Sequence, residues 1–424
     1  MKTIALELAP TAAKFDRLQL VIPLKANEAW LMHPVATTLR HHFAGRIPAV
    51  SNKTGVTGTV WDSSAVRDRI DGIFVRYIYL GGPERGLCFA ADNDRDWLTD
   101  KDTPMMVIDR DGDTVLLRLN LVAKPAKLDR PRRITFALQA TPAKPMPEEP
   151  YNWRRWWATN TDPATEDVQI NFWGGNMYWG GRYFATSVYP FGKDYSYWQK
   201  LAEQRRTGVI DKEYEERWFA RLDSLTEQQR REIEPGMRAG FQWSSGSPPN
   251  GPQTTKYRYL IPYTNPRGAQ HETLEFLTTY LDEWVHGDIV DPLWPRMAGG
   301  DRPLRAAPGH PGGCVWYEVE PVPSRNDMLL FYHRKMLETF ADGIYWDNWF
   351  LRPCYTPAEA GGPGYVDDDG RPRARVNRMG FRALVRRTAT MMHVMGMRPL
   401  TYIHMTNANI VPMLSFGTVN LDWE

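Results

Sequence analysis

Hydrophobic and polar residues alternate through the first third of the chain at the two-residue period of a strand. Over 15–34, Leu18, Leu20 and Ile22 fall on one face and Gln19 and Val21 on the other. The same pattern predicts strands at 72–80, 86–91, 104–109, 114–123 and 133–140. Turn signals divide them, among them Gly81-Gly82-Pro83 and Asp109-Arg110-Asp111-Gly112-Asp113. Short strands at this spacing, with scarcely a helical period among them, predict an antiparallel β-sandwich. A proline-rich exit over 139–150 is stiff and extended, which puts a domain boundary at residue 147 and a sandwich domain over 1–147.

Beyond the boundary the rhythm changes to strands alternating with helices. Strands are expected at 168–173, 257–262, 313–318, 342–349, 398–404 and 417–423, and helices at 195–234, 272–286, 327–341 and 375–394. In the first helix, Trp198, Leu201, Trp218, Phe219 and Leu222 form the apolar stripe. Six such units without a dinucleotide fingerprint predict a (β/α)8-type barrel over 148–424, with a Rossmann-type sheet as the weaker alternative. The sequence stops at Glu424 directly after the sixth strand, so the barrel is expected to be truncated there or to close unusually.

Composition narrows the partner. A chain of 424 residues exceeds what one core usually supports, which agrees with a multidomain β plus α/β chain. A formal charge of +2 with no long basic run points away from nucleic acid and from an anionic membrane surface. No apolar run is long enough to span a bilayer, and Glu7 and Pro10 interrupt the apolar stretch that an export signal would need. Cys88, Cys314 and Cys354 are too scattered for a disulfide framework or a zinc knuckle. The excess is aromatic: 17 Trp and 19 Tyr, many beside Gly, Asn and Asp, suit a carbohydrate partner, because indole and phenol rings combine a flat apolar face with a polar edge.

In parallel α/β architectures the C-terminal strand ends carry the chemistry, and the strand at 342–349 ends on Asp347-Asn348. The other expected strand ends bring Asn171, Trp173, Glu318, Tyr402, His404, Asn407, Asp422 and Glu424 to the same mouth. No Ser-His-Asp order, phosphate-binding glycine loop, His-Glu-x-x-His or Cys-x-x-Cys occurs, and no cofactor is implied. Hydrolysis through carboxylates remains. Asp347 with Asp422 or Glu424 is the expected catalytic set. Asn348, Trp346, His404, Asn407, Tyr402, Trp173, Asn171 and Glu318 are expected to bind substrate.

Each of these residues also has a plain structural role open to it: Asp347 could cap a turn, and His404 could be a satisfied strand-end histidine. Two other functional readings stand beside the hydrolase. One is a non-catalytic carbohydrate-binding protein on a degraded barrel. The other is a polysaccharide lyase with Tyr or His as base and Arg352, Arg371 and Arg373 for a uronate. No metal is expected. Asp92, Asn93, Asp94 and Asp96 lack the glycine and distal glutamate of an EF-hand loop and read as a solvated turn, as do Asp367, Asp368 and Asp369. The glycine-rich loop over 354–375 is expected to form a lid or rim over the site.

Five stretches together resemble glycoside hydrolase family 123 and its uncharacterised relatives. They are Leu20-Val21-Ile22-Pro23-Leu24-Lys25, the run from Gly86 to Asp92, the run from Phe136 to Pro145, Asp342-Gly343-Ile344-Tyr345-Trp346-Asp347 and His404-Met405-Thr406-Asn407. The resemblance implies a β-sandwich ahead of a (β/α) barrel, a periplasmic or secreted setting, and retaining hydrolysis of a β-linked N-acetylgalactosamine by its own acetamido group. It further implies an Asp-Glu pair, with Asp orienting the acetamido group and Glu as acid/base. Here Asn348 follows Asp347, and an amide cannot donate that proton, so either the second group comes from another strand or the chemistry is not that of the family.

Overall fold

The computed structural model describes residues 1–36, 43–47, 57–66, 72–99, 102–145, 316–339, 342–347, 349, 353–404 and 410–421, with short pieces between 154 and 284. The first twelve strands are β1 (Lys2–Leu8), β2 (Thr11–Phe15), β3 (Leu18–Lys25), β4 (Leu31–Val35), β5 (Gly45–Arg46), β6 (Thr57–Asp62), β7 (Tyr77–Gly81), β8 (Gly86–Ala90), β9 (Met106–Asp111), β10 (Thr114–Val122), β11 (Ala126–Leu128) and β12 (Arg132–Thr141). Next come β13 (Arg154–Trp156), β14 (Gln169–Asn171), β15 (Tyr259–Leu260), β16 (Tyr263–Thr264), β17 (Gly268–Gln270), β18 (Trp316–Glu318) and β19 (Gly343–Trp346). The last six are β20 (Pro353–Cys354), β21 (Tyr365–Val366), β22 (Pro372–Arg373), β23 (Arg375–Val376), β24 (Leu400–His404) and β25 (Val419–Leu421). Among the helices are α1 (Pro323–Thr339), α2 (Arg378–Val394) and α3 (Val411–Leu414). Antiparallel pairing dominates and helices are few among the described residues.

The chain divides into two compact units. The first holds Met1–Pro145, Phe350–Arg382 and Thr406–Ser415, and the second holds Met146–Trp349, Ala383–Met405 and Phe416–Glu424. In the first, an antiparallel sheet β1-β12-β8-β7-β4-β5 faces an antiparallel sheet β3-β10-β9-β6 across one core. Strand alternation builds that core. Val115, Leu117, Leu119 and Leu121 of β10 point inward, and Ile78, Leu80, Phe89, Ile134 and Phe136 meet them from the other sheet. Most strands begin or end within a few residues of their expected positions. The exceptions are 15–34, which holds two strands, β3 and β4, with a turn between them, and 72–80, where only Tyr77–Gly81 pairs as a strand.

The segment 354–375, expected as a lid or rim, belongs to this unit and is tied into it by ion pairs and hydrogen bonds. Asp94 accepts from Nε of Arg375 at 2.8 Å and from the Tyr365 hydroxyl at 2.7 Å. Asp368 accepts from Nη2 of Arg132 at 2.9 Å and also meets Arg130. Asp92 takes the backbone N–H groups of Arg378 and Met379, both at 3.1 Å, while Asn377 takes that of Gly380 at 2.9 Å. Together they cap the exposed amides at the start of α2. The acidic runs therefore hold arginines and a helix end.

These pairings give stability a pH dependence. Burial works to raise the Asp94 carboxyl, but the Arg375 guanidinium and the Tyr365 hydroxyl outweigh it and hold it below the usual range. Asp368 is lowered by its hydrogen bond from Arg130, against some burial, and by Arg132. Asp367 is lowered by the N–H of Arg371 and by Arg373, which outweigh its burial. Asp92 goes the other way, raised by burial against Arg378 and the helix amides. A lowered carboxyl contributes stability above its unfolded value of about 3.9 that is lost as pH falls through the folded value, whereas Asp92 contributes in the opposite sense. Protonation of Asp94, which is buried against Arg375 and Tyr365, breaks the pairing that ties 354–375 to the sandwich. The urea midpoint is expected to drop as pH falls below about 4, and Asp94→Asn to flatten that slope. A midpoint that rises on acidification would contradict it.

In the second unit the parallel strands form two separate sheets, β13-β14-β15 and β16-β19-β24-β25. No closed barrel is formed among the described residues. The strand expected at 313–318 is corrected in direction: β18 pairs antiparallel with β17 and belongs to neither parallel sheet. The helices expected at 195–234 and 272–286 lie largely outside the described residues, as do the residues around the expected boundary at 147.

Candidate active site

Two neighbouring strands of the four-stranded parallel sheet end on the same spacing, Tyr345-Trp346-Asp347 on β19 and Tyr402-Ile403-His404 on β24. Residues two apart share a face of a strand, so each pattern sends a tyrosine and then a titratable group to the same side. Tyr345 stands opposite Tyr402 and Trp346 opposite Ile403, so one step further on Asp347 comes level with His404. Oδ1 of Asp347 lies 3.0 Å from Nδ1 of His404, and the Tyr345 hydroxyl meets the same nitrogen. The rings of Tyr345 and Tyr402 are 4.7 Å apart and tilted by 41°.

Backbone bonds fix this end of the sheet. The Asp347 N–H donates to Thr264 O of β16 at 2.9 Å, and the Trp349 N–H donates to His404 O at 3.2 Å. Asp347 is 8% exposed and His404 7%, so the pair meets little water. In such surroundings a carboxylate and an imidazole interact more strongly than at a surface. Nδ1 of His404 thus has two polar neighbours, the Asp347 carboxylate and the Tyr345 hydroxyl, and in the tautomer that carries its proton on Nδ1 the second ring nitrogen, Nε2, accepts.

The opposite face of β19 is packing. Trp346, expected to stack on substrate, is fully buried, edge-on to His333 of α1 at 4.8 Å and 6.0 Å from Trp349. Burial, with the nearby charge of Arg325, pushes His333 down to about 3, so it packs as a neutral ring. Arg325 is itself lowered to about 9 by burial and lies 5.1 Å over the Trp284 ring. This layer holds β19 from behind and makes no contribution to the face that bears Asp347.

Of the expected site residues, Asp347, His404 and Tyr402 are brought together. Asn171 lies on β14 in the three-stranded sheet, and Glu318 lies on β18, paired with β17. Trp173, Asn348, Asn407, Asp422 and Glu424 are outside the described residues. Tyr345 is the participant that strand-end reasoning passed over. Its signal was present in the repeated spacing, Tyr-x-Asp beside Tyr-x-His. Among the described residues no cluster of His, Cys, Asp and Glu could hold a metal ion, and no helix is long and apolar enough to cross a membrane.

No family model matches the chain, and no curated protein does. Solved structures similar to it are glycoside hydrolases. An α-galactosidase from Thermus thermophilus in complex with stachyose is 12% identical, with 99% of this chain and 75% of that one covered and a TM-score of 0.30. A family GH36 α-galactosidase from Geobacillus stearothermophilus is 11% identical, with 98% and 54% covered and a TM-score of 0.33. A cycloalternan-degrading enzyme from Trueperella pyogenes is 11% identical, with 91% and 50% covered and a TM-score of 0.33. The chain thus spans about half the length of the latter two. TM-scores of this size do not establish a common fold.

Proposed function

We propose that the chain is a glycoside hydrolase that cleaves a glycosidic bond in an oligo- or polysaccharide by carboxylate acid/base catalysis. The observation that carries the reading is the Asp347 carboxylate at the C-terminal end of a parallel strand, held 3.0 Å from His404 Nδ1 on the face shared with Tyr345 and Tyr402. Asp347 is one catalytic carboxylate. The partner is Asp422 or Glu424: β25 is parallel to β24, and its last residue, Leu421, stands opposite His404, so the chain leaves β25 beside the pair. His404 fixes the orientation of Asp347. Asn348, Asn407, Tyr402, Trp173, Asn171 and Glu318 complete the proposed substrate contacts, whereas the buried Trp346 supports β19 from behind and does not touch substrate.

The same proposal assigns 1–147 to a sandwich domain and 148–424 to a (β/α) barrel to which β16, β19, β24 and β25 belong. Its support is their parallel pairing, with α2 lying between β19 and β24 in sequence.

A second reading, β-elimination on a uronic acid, draws on the Tyr345 hydroxyl against His404. Its cationic complement is weak, since Arg371 and Arg373 each lie against a carboxylate, Asp369 and Asp367. Incubation with neutral and uronate-containing oligosaccharides separates the readings. Hydrolysis leaves a new reducing end without unsaturation. An unsaturated uronate product would overturn the hydrolase in favour of the lyase, and binding without cleavage would overturn it in favour of a carbohydrate-binding protein.

His404→Ala is expected to lower kcat by about 100-fold with KM little changed, because it removes the donor that positions the carboxylate and not a substrate contact. Steady-state kinetics on a cleaved glycan checks this, and a rise in KM alone would contradict it.

A further inference from the structure

The first unit contains a cleft of about 330 Å³ that uses neither Asp347 nor His404. It opens between the turn after β8, Lys124 just beyond β10, and the segment from Tyr365 to Arg375. Its volume is at the small end of the roughly 300–1,000 Å³ of small-molecule sites. The floor is fixed by the Asp94–Tyr365–Arg375 cluster. Arg375 is 2% exposed and stands 5.3 Å over the Tyr365 ring while it binds Asp94.

Two kinds of group remain for a ligand. Trp97 lines the cleft at 7% exposure, and its Nε1–H finds no acceptor among the described residues. A buried indole N–H usually has one. Lys124 adds an exposed ammonium. On the accepting side, the Asp369 side chain is 68% exposed and its partner, Arg371, lies at 3.3 Å and is equally exposed, so solvent or a ligand can compete for it.

Charge decides the ligand class. Asp367, Asp368 and Asp369 would repel an inorganic anion, and Lys124, Arg373 and Arg375 would repel a metal cation. Near-balanced charges that offer both donors and acceptors fit hydroxyl groups, each of which donates and accepts. We propose that this cleft binds a neutral polyhydroxylated ligand of one or two sugar rings, as a site distinct in its residues from the strand-end pair. The proposal does not rest on the hydrolase reading.

The test uses the full chain carrying Asp347→Asn, so that cleavage cannot consume the probe. Glucose, galactose, maltose and lactose are titrated by ligand-observed NMR and calorimetry, with inorganic phosphate and calcium as controls. Lys124→Met and Asp369→Asn alter exposed side chains, and Trp97→Phe keeps the ring while it removes the N–H. Each is expected to weaken binding of the preferred sugar by about tenfold, the loss of one ligand hydrogen bond to a charged or buried group, with the circular dichroism spectrum unchanged. The proposal is overturned if no sugar binds, if all three variants bind like the parent, or if phosphate or calcium is the ligand that the variants lose.

Discussion

Asp347→Asn is expected to lower glycan turnover by about a thousandfold or more while the fold and KM stay close to those of the parent. The replacement is nearly isosteric. The amide oxygen of asparagine can take the place of the carboxylate oxygen that lies 3.0 Å from His404 Nδ1, so little is lost in packing. What disappears is the negative charge, and with it the capacity to attack or stabilise an anomeric carbon or to take a proton from water. That asymmetry makes the substitution informative. Steady-state kinetics on a responsive oligosaccharide, with a melting curve as control, measures both sides. Undiminished kcat would remove Asp347 from the chemistry. Asp347→Gly with added azide then assigns the role: recovery of turnover with formation of a glycosyl azide marks a nucleophile or base.

The sandwich strands were legible because each buries one face, and a single buried face writes period-two alternation into the sequence, as in Val115, Leu117, Leu119 and Leu121. The strand-end position of Asp347 was legible for a related reason, since Gly343 to Trp346 is a continuous β-favouring run that ends on an acid. The imidazole beside it was not legible as its neighbour, because that contact is set by the register of β19 on β24, and register is a non-local property that no single strand carries.

Trp346 illustrates the same limit, because an aromatic in a strand reads alike whether it faces a ligand or a helix. The loop over 354–375 was read as a rim from its glycines and charges. Within it Asp368 and Arg375 are matched to Arg130, Arg132 and Asp94, more than 200 residues away in sequence. Complementary charges so far apart leave no pattern within a window of sequence.

Gly343→Ala is expected to damage stability and turnover together. Gly343 begins β19 and stands opposite Leu400 of β24. A Cβ there would lie 2.3 Å from the Leu400 carbonyl oxygen and 2.8 Å from the Leu400 Cβ. The first of these is backbone in a paired strand, so no rotamer change relieves it, and the two strands have to part. Overpacking of this kind costs about 1–3 kcal/mol or more, a large share of the roughly 5–15 kcal/mol that holds a typical domain folded. The same pairing, four residues on, sets the 3.0 Å between Asp347 and His404. A displacement of about 1 Å in a catalytic group can cost about 100-fold in rate. Gly396→Ala supplies the comparison. Gly396 follows α2 with φ of +73° and open space around its Cα, so alanine there meets backbone strain without a clash. It is expected to cost about 1–2 kcal/mol and to leave kcat unchanged. Urea unfolding and kinetics on both variants measure the contrast. Equal turnover in the two would mean that the register of β19 on β24 does not govern the strand-end pair.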